Sequence, residues 1–268
     1  MNYLIPMAGA GSRFAQKGYR THKPAIPTTS WCTGQVVPMC VAAAQDLPHI
    51  SRDSRIIFII RDFHQDAGLD QTIKNFFPQA QFIAIDHLTQ GQASSCLLAE
   101  EFINNDQELL IAGCDNGMVY DQQAFDHKRA GADVLVFTYR YHSAVLSHPN
   151  AYGWVKVDES GKVTGVSVKK QISPTPLQDH AIVATFWFRK GSFFVQAAQK
   201  MILENDRVNN EFYVDQVIKH ALDLGMQVDI FEIDKYLGWG TPEDYENYEK
   251  TYQYWKTFCS KVNLEETS

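Results

Sequence analysis

An α/β fold with a mostly parallel sheet is the architecture this 268-residue sequence predicts. Three observations carry the expectation. Short apolar runs at residues 3–7, 55–60, 81–85, 109–112 and 133–139 recur with helix-like stretches between them, the pattern of right-handed crossovers over a parallel sheet. The run at 55–60 (RIIFII) is β-branched and continuous instead of alternating, as in a central strand buried on both faces. The first run leads straight into Ala8-Gly9-Ala10-Gly11-Ser12-Arg13, and ligands of such sheets gather at the carboxyl ends of the strands.

Residues 3–7 read as a buried strand with no room for a helix before it. Glycines at its end let backbone N–H groups approach an anion closely. Arg13, with its planar fork, and Lys23, a point charge followed by Pro24, suit a polyphosphate. The stretch therefore reads as a nucleoside-triphosphate site that handles pyrophosphate. Beyond it, residues 69–77 make a short helix ended by Pro78, and 81–85 a third strand. Residues 91–103 have helical spacing, with Ala93, Cys96, Leu97 and Phe102 on or near one face. A strand at 109–112, a helix at 121–130 and a strand at 133–139 complete the alternation. The strand ends carry residues 9–13, Arg61-Asp62, residues 89–92 and Cys114-Asp115-Asn116.

The character changes after residue 150. Residues 153–157 and 163–168 flank Asp158-Glu159-Ser160-Gly161 and read as a hairpin. A strand at 181–188, helices at 192–204 and 211–224 and a strand at 228–233 precede Gly238-Trp239-Gly240-Thr241-Pro242. Pro242 is tolerated in a first helical turn, and Glu243 and Asp244 suit the positive end of the helix dipole. In that last helix Tyr245, Tyr248, Tyr252, Trp255 and Phe258 form a stripe that reads first as core packing, with a homodimer contact as the alternative. Without repeat or long linker, residues 1–268 read as one domain: a nucleotide-binding half (1–140), an acceptor-side half (141–240) and a C-terminal helix (241–268).

A net charge of −7 argues against a general nucleic-acid binder, although a few cations can still converge in a local pocket. No apolar run approaches the ~20 residues that span a bilayer, and no basic leader precedes the first strand. The expectation is a cytoplasmic protein without nucleic-acid or membrane partners. The five cysteines are odd in number, scattered and without a C-x-x-C pair, so they read as reduced apolar residues. Cys114, beside Asp115, reads as a small residue in a packed loop, because no His lies near it in sequence. None of the nine histidines shows ligand spacing.

Met7-Ala8-Gly9-Ala10-Gly11-Ser12-Arg13 with Lys23-Pro24 resembles the signature of the nucleotidyltransferases that make nucleotide-activated sugars and related phospho-compounds. Gly91-Gln92-Ala93 resembles that family's base-reading loop, and residues 110–116 (LIAGCDN) the strand ending in its magnesium-holding aspartate. Ala151-Tyr152-Gly153 resembles the segment beside the acceptor, and residues 240–244 (GTPED) the start of the last helix. Together the motifs cover most of residues 1–248.

The resemblance implies a three-layer, Rossmann-like nucleotide-diphospho-sugar transferase fold with a mostly parallel mixed sheet. The reaction implied is attack of a phosphate monoester on the α-phosphorus of an NTP, releasing pyrophosphate. Such a transfer needs positioning and charge stabilisation more than covalent help. Arg13 and Lys23 would be the catalytic cations, with backbone N–H groups around Ala8, Gly9, Ala10, Gly11 and Ser12 cradling the phosphates. Asp115 would hold Mg²⁺, the one cofactor implied. Gly91, with no side chain, and Gln92, both donor and acceptor, would take the base. Tyr152, Gly153, Lys170, Asn210 and Glu211 would face the acceptor, the Asn pair also reading as an ordinary helix N-cap.

Two departures bear on the acceptor. Many relatives place a second metal-binding Asp where this chain has Gly238, leaving Asp115 with phosphates and water, or help from Asp234, to hold the metal. Sugar-specific relatives carry a Glu before the lysine after the hairpin; here Val166-Ser167-Val168-Lys169-Lys170 has no acid, Lys170 matching the lysine and Lys169 or Val168 the Glu. Loss of an acceptor group with gain of a cation points to a more anionic acceptor than a neutral sugar. The reading is a cytidylyltransferase-type enzyme, CTP favoured over UTP or dTTP, loading a sugar phosphate or an anionic non-sugar phosphate for surface-polysaccharide synthesis. Two readings compete: an NTP-binding regulator that has lost catalysis, and a dinucleotide oxidoreductase, which Phe14 at the third glycine position disfavours.

Overall fold

Every residue of Asn2–Pro6 is buried, and this strand sets the centre of the sheet. The computed structural model describes residues 1–265. From β1 (Asn2–Pro6) the chain passes through α1 (Ser12–Gln16) and a short hairpin, β2 (Pro27–Thr29) and β3 (Val36–Pro38), into α2 (Met39–Gln45). There follow β4 (Ile56–Arg61), α3 (Asp62–Asp66), α4 (Leu69–Phe76), β5 (Gln81–Ile85), α5 (Gln92–Leu97) and α6 (Glu100–Ile103). Then β6 (Leu109–Ala112) and β7 (Asn116–Val119) lead to α7 (Gln122–Arg129), β8 (Val134–Tyr139) and α8 (Ala144–Ser147). The remainder forms β9 (Gly153–Val157), β10 (Val163–Val168), β11 (His180–Phe188), α9 (Gly191–Leu203), α10 (Val214–Asp223), β12 (Val228–Glu232), β13 (Lys235–Gly238) and α11 (Pro242–Glu265).

The main sheet runs β5-β4-β1-β6-β11-β9-β10, with β8 on the other edge of β11 and β12 beyond it. The β1/β4, β1/β6, β4/β5 and β8/β12 pairs are parallel, whereas β11 runs antiparallel to β6, β8 and β9. Consecutive residues of each central strand serve opposite cores. Ile5, Phe58, Leu110 and Phe137 pack with α2, α7 and Trp187 on one face; Leu4, Ile59, Ile111 and Val136 pack with α5, α9 and α10 on the other. That double burial explains why the runs are continuous instead of alternating, and it makes the mixed, mostly parallel three-layer α/β fold.

β11 is not a regular strand. Its register against β8 slips between Ile182 and Phe186, and Ala184 sits at φ +63°. Such a bulge bends a strand and re-aims its neighbours. Here one edge pairs with β9 at Ala181 and, past the bulge, with β6 from Thr185 onward. The Ala184 carbonyl accepts the Gly113 N–H at 3.0 Å, tying the bulge to the loop that leaves β6.

Several boundaries move. The helix expected over 91–103 breaks into α5 and α6, and that expected from 211 begins at Val214. Asn209 and Asn210, at φ +50° and +63°, form a tight turn closed by a Val208–Glu211 bridge, so the pair does not cap a helix. The aromatic stripe of α11 divides. Tyr245 and Tyr248 donate their hydroxyls to the Pro27 and Thr29 carbonyls, each at 2.6 Å, while Trp255 and Phe258 are about half exposed (55% and 47%).

In the buried cluster of Phe125, Phe137 and Phe231, the Phe137 ring lies 5.6 and 5.1 Å from its two neighbours. Phe137→Ala should therefore cost about 3–5 kcal/mol of stability in urea unfolding, with the denaturant slope unchanged. A second expectation concerns pH. Asp46, which follows α2 and accepts the Met118 N–H of β7, is pushed by burial up to about 7. The native state then keeps a proton that the unfolded chain loses near pH 4, so this residue's contribution to stability falls as pH rises from about 4 to 7. Asp46→Asn should become increasingly more stable than wild type over that range, by a few kcal/mol at most, in denaturation curves at fixed pH.

Candidate active site

One ammonium joins three separate stretches of the sequence. Lys23 opens a single 3₁₀ turn, Lys23–Ala25, in which Pro24 fixes the backbone and is itself buried. From there its Nζ donates to Asp115 Oδ2 at 2.5 Å and to the Gly240 carbonyl at 3.4 Å, above the Phe14 ring. Asp115 lies just past β6, and Gly240 begins the turn into α11. Burial works against both charges, yet each holds the other: the Lys23 pKa is raised and the Asp115 carboxyl lowered, Arg13 adding to the latter. Gly11, at φ +61°, turns the glycine loop so that the position of a Cβ would lie 3.6 Å from Lys23. Gly9, Ala10, Ser12 and Arg13 are exposed, whereas the Ala8 side chain belongs to the core and only its backbone is left to a ligand.

The second carboxylate position is filled by a ring. A Cβ on Gly238 would lie 2.9 Å from the Tyr236 ring, which stacks on Tyr139 with centroids 4.2 Å apart. Asp234 does not reach Asp115. The β7/β13 register sets Gly238 opposite Asn116 and Lys235 opposite Val119, which leaves the exposed Asp234 beyond the far end of the pair. Among the described residues no group of three His, Cys, Asp or Glu could hold a metal. Mg²⁺ typically takes one or two carboxylates with phosphate and water oxygens. Asp115, paired with Lys23, suits such an ion arriving with a nucleotide, in competition with Lys23 for Oδ2. The Cys114 thiol, pushed up to about 12 by burial and the Asp115 charge, is no nucleophile at neutral pH.

Gly91 departs from its expected role. It sits at φ +125°, and a Cβ there would lie 2.5 Å from the Phe212 nitrogen, so its missing side chain makes room for backbone and not for a base. Gln92 is half-buried at the start of α5, which packs on β1 beside Ala8, and its side chain has no hydrogen-bond partner among the described residues.

On the acceptor side, Lys170 is exposed, its carbonyl taken by the Ser167 hydroxyl. Lys169 replaces it. At φ +55° it reverses the chain after β10, and its ammonium donates to the Ala151 carbonyl and lies 5.6 Å above the Tyr213 ring. Gly153 is required by its neighbour: a Cβ there would meet the Asp215 carboxylate at 2.1 Å. Asp215, which the sequence reading passed over, is pushed by burial up to about 6, and burial lowers the Lys169 pKa. Asn210 and Glu211 are exposed on the tight turn that packs against the base loop.

A family profile described as nucleotidyl transferase matches residues 4–254. The chain belongs to that family. The bifunctional protein GlmU of Pelobacter propionicus is 29% identical over 166 residues, 60% of this chain and 34% of that protein. The chain thus spans about a third of the length of that curated relative. Among solved structures, a nucleoside-diphosphate-sugar pyrophosphorylase from Vibrio cholerae superposes with a TM-score of 0.71 at 16% identity, over 92% of this chain and 98% of that one. A putative glucose-1-phosphate thymidylyltransferase from Bacillus anthracis gives 0.70 at 15%, covering 93% and 94%. The inositol-1-phosphate CTP transferase of T. maritima gives 0.65 at 13%, covering 92% and 93%. At those identities the likeness establishes the three-layer fold.

In this nucleotidyl transferase a cavity of about 1120 Å³ runs from Arg13 and Gly240 past Tyr152 and Tyr236 to Tyr252 and Trp255 of α11. No described helix is long and apolar enough to cross a membrane. Restoring an acid at position 238 should fail on packing grounds. Gly238→Asp should cost about 1–3 kcal/mol by crowding Tyr236, and the cost should shrink in a Tyr236→Ala background, as a double-mutant cycle of unfolding free energies would show.

Proposed function

We propose that this enzyme transfers a nucleoside monophosphate from an NTP, CTP before UTP or dTTP, to a phosphorylated small molecule with release of pyrophosphate. The observation that carries the reading is the convergence of Lys23, Asp115 and the exposed Gly9–Arg13 loop at the carboxyl ends of β1 and β6. Arg13 makes no ion pair among the described residues, and its charge reaches Lys23, Asp115 and Lys169, which suits a clamp for the leaving β- and γ-phosphates. Lys23 is placed to stabilise charge on the α-phosphoryl oxygens, and the loop N–H groups to hold the phosphates in line. Mg²⁺ held by Asp115 would neutralise phosphate oxygens when bound. Gln92 and the neighbouring Gln90 would face the base.

Lys169 supports an anionic acceptor, since a cation stands where the sugar-reading relatives place a Glu. Tyr152, Gly153, Asn210 and Glu211 would border it. Two structural neighbours, named for CTP transfer to inositol-1-phosphate and for thymidylyl transfer to glucose-1-phosphate, bracket the proposed acceptor class. Precursor synthesis for a surface polysaccharide in the cytoplasm fits such a product, as does a homodimer through the exposed Trp255 and Phe258. The absent second acid at Gly238 favours one rival, a regulator that binds NTP without turnover.

Pyrophosphate release with CTP, UTP or dTTP, Mg²⁺ and a panel of phosphorylated sugars and polyols decides between them. Turnover is expected, with Lys23→Ala and Arg13→Ala each lowering kcat/KM by about 100-fold or more. NTP binding without turnover for any acceptor would favour the regulator.

A further inference from the structure

The proposed base loop is not free-standing. The Phe212 N–H donates to the Gln90 carbonyl at 2.8 Å and the Ala93 N–H to the Phe212 carbonyl at 2.9 Å. Together with the close approach at Gly91, these contacts fasten residues 90–93 to the stretch before α10. One side chain locks the two loops from outside. Arg207 donates through Nη2 to Gln90 Oε1 at 2.7 Å, through Nε to Asn205 Oδ1 at 2.7 Å and through Nη1 to the Asn210 carbonyl at 3.4 Å. Its guanidinium lies 4.2 Å from the centre of the Phe212 ring. The backbone carrying Arg207 is itself pinned, because Asp206 Oδ2 accepts from Gln216, Lys219 and the fully buried His220 at 2.7–2.9 Å. The tight turn at Asn209-Asn210 then returns the chain to Phe212.

We infer that Arg207 is a positioning residue for base recognition, clamping the base loop to the acceptor-side turn and fixing the polarity of Gln90. A free glutamine amide offers either a donor or an acceptor to a nucleobase edge. With its oxygen held by a guanidinium, which only donates, Gln90 has its NH₂ group left to offer. Discrimination between bases then depends on a residue that touches no nucleotide. The inference rests on the reading of Gly91-Gln92-Ala93 as the base loop, with Gln90 directly before it.

The test is calorimetric titration of the full chain with CTP, UTP, dTTP and GTP, each with Mg²⁺, without any acceptor. Arg207→Met should weaken the preferred nucleotide about fivefold, the scale of one exposed charge-assisted hydrogen bond, and narrow the ratio of affinities among the four bases. Arg207→Lys, able to donate but not to lie flat on Phe212, should fall between. Gln90→Met should match Arg207→Met, and the double variant should be no weaker than either, because the two act as one unit. Unchanged base ratios in Arg207→Met, at an unchanged thermal midpoint, would overturn the inference, as would additive losses in the double variant. Wild-type protein that binds none of the four would overturn the base-loop reading, and the clamp with it. Should the Met variant fold poorly, the ratios of Arg207→Lys decide the matter.

Discussion

The ion pair between Lys23 and Asp115 is the contact on which the rest of the site depends. It fixes the distance between the turn after the glycine loop and the end of β6, and the Gly240 carbonyl brings the start of α11 to the same ammonium. Burial disfavours each charge by itself, and each lowers the cost of burying the other. Breaking such a pair leaves an uncompensated charge, so substitutions here act on stability as well as on chemistry.

Around that contact, groups on neighbouring elements fill space and balance charge. Tyr236 takes the space beside Gly238 where an acid would stand, and its stacking on Tyr139 makes that occupancy a packed state instead of a gap. Lys169 brings a positive charge to the end of β10, and Asp215 supplies a negative one beneath Gly153. The two lie close enough to influence each other's protonation without forming an ion pair among the described residues.

What was legible in the sequence follows from what each element needs. Strands buried on both faces must be apolar at every position, so residues 56–60 and 109–112 announce themselves. The hairpin of β9 and β10 is marked by its Asp-Glu-Ser-Gly turn, and the glycine loop by the strand it ends. By contrast β7 and β13 are four residues each, contain glycine and show no alternation; only their mutual pairing makes them strands. Of the two adjacent lysines only Lys169 lines the cavity, because it turns the chain in the left-handed region at φ +55°, which no local pattern marks. Gly91 looked like room for a ligand, yet the space belongs to Phe212, a residue over a hundred positions away that no local pattern could bring to it.

The bulge in β11 has a consequence for how the chain comes to be folded. β6 bears Asp115 at its end, and its outer edge is covered only by residues 185–188, which are made some seventy residues later. Until they emerge from the ribosome, the strand beside the catalytic loop presents unpaired backbone groups, and edges of that kind invite pairing with other chains. Because the same strand then receives β9 on the same edge, docking of one segment closes both halves of the sheet together. Joining of the Lys23–Asp115 pair to a completed sheet is thus a late event of synthesis, and nascent chains ending before residue 180 leave that edge of β6 unpaired.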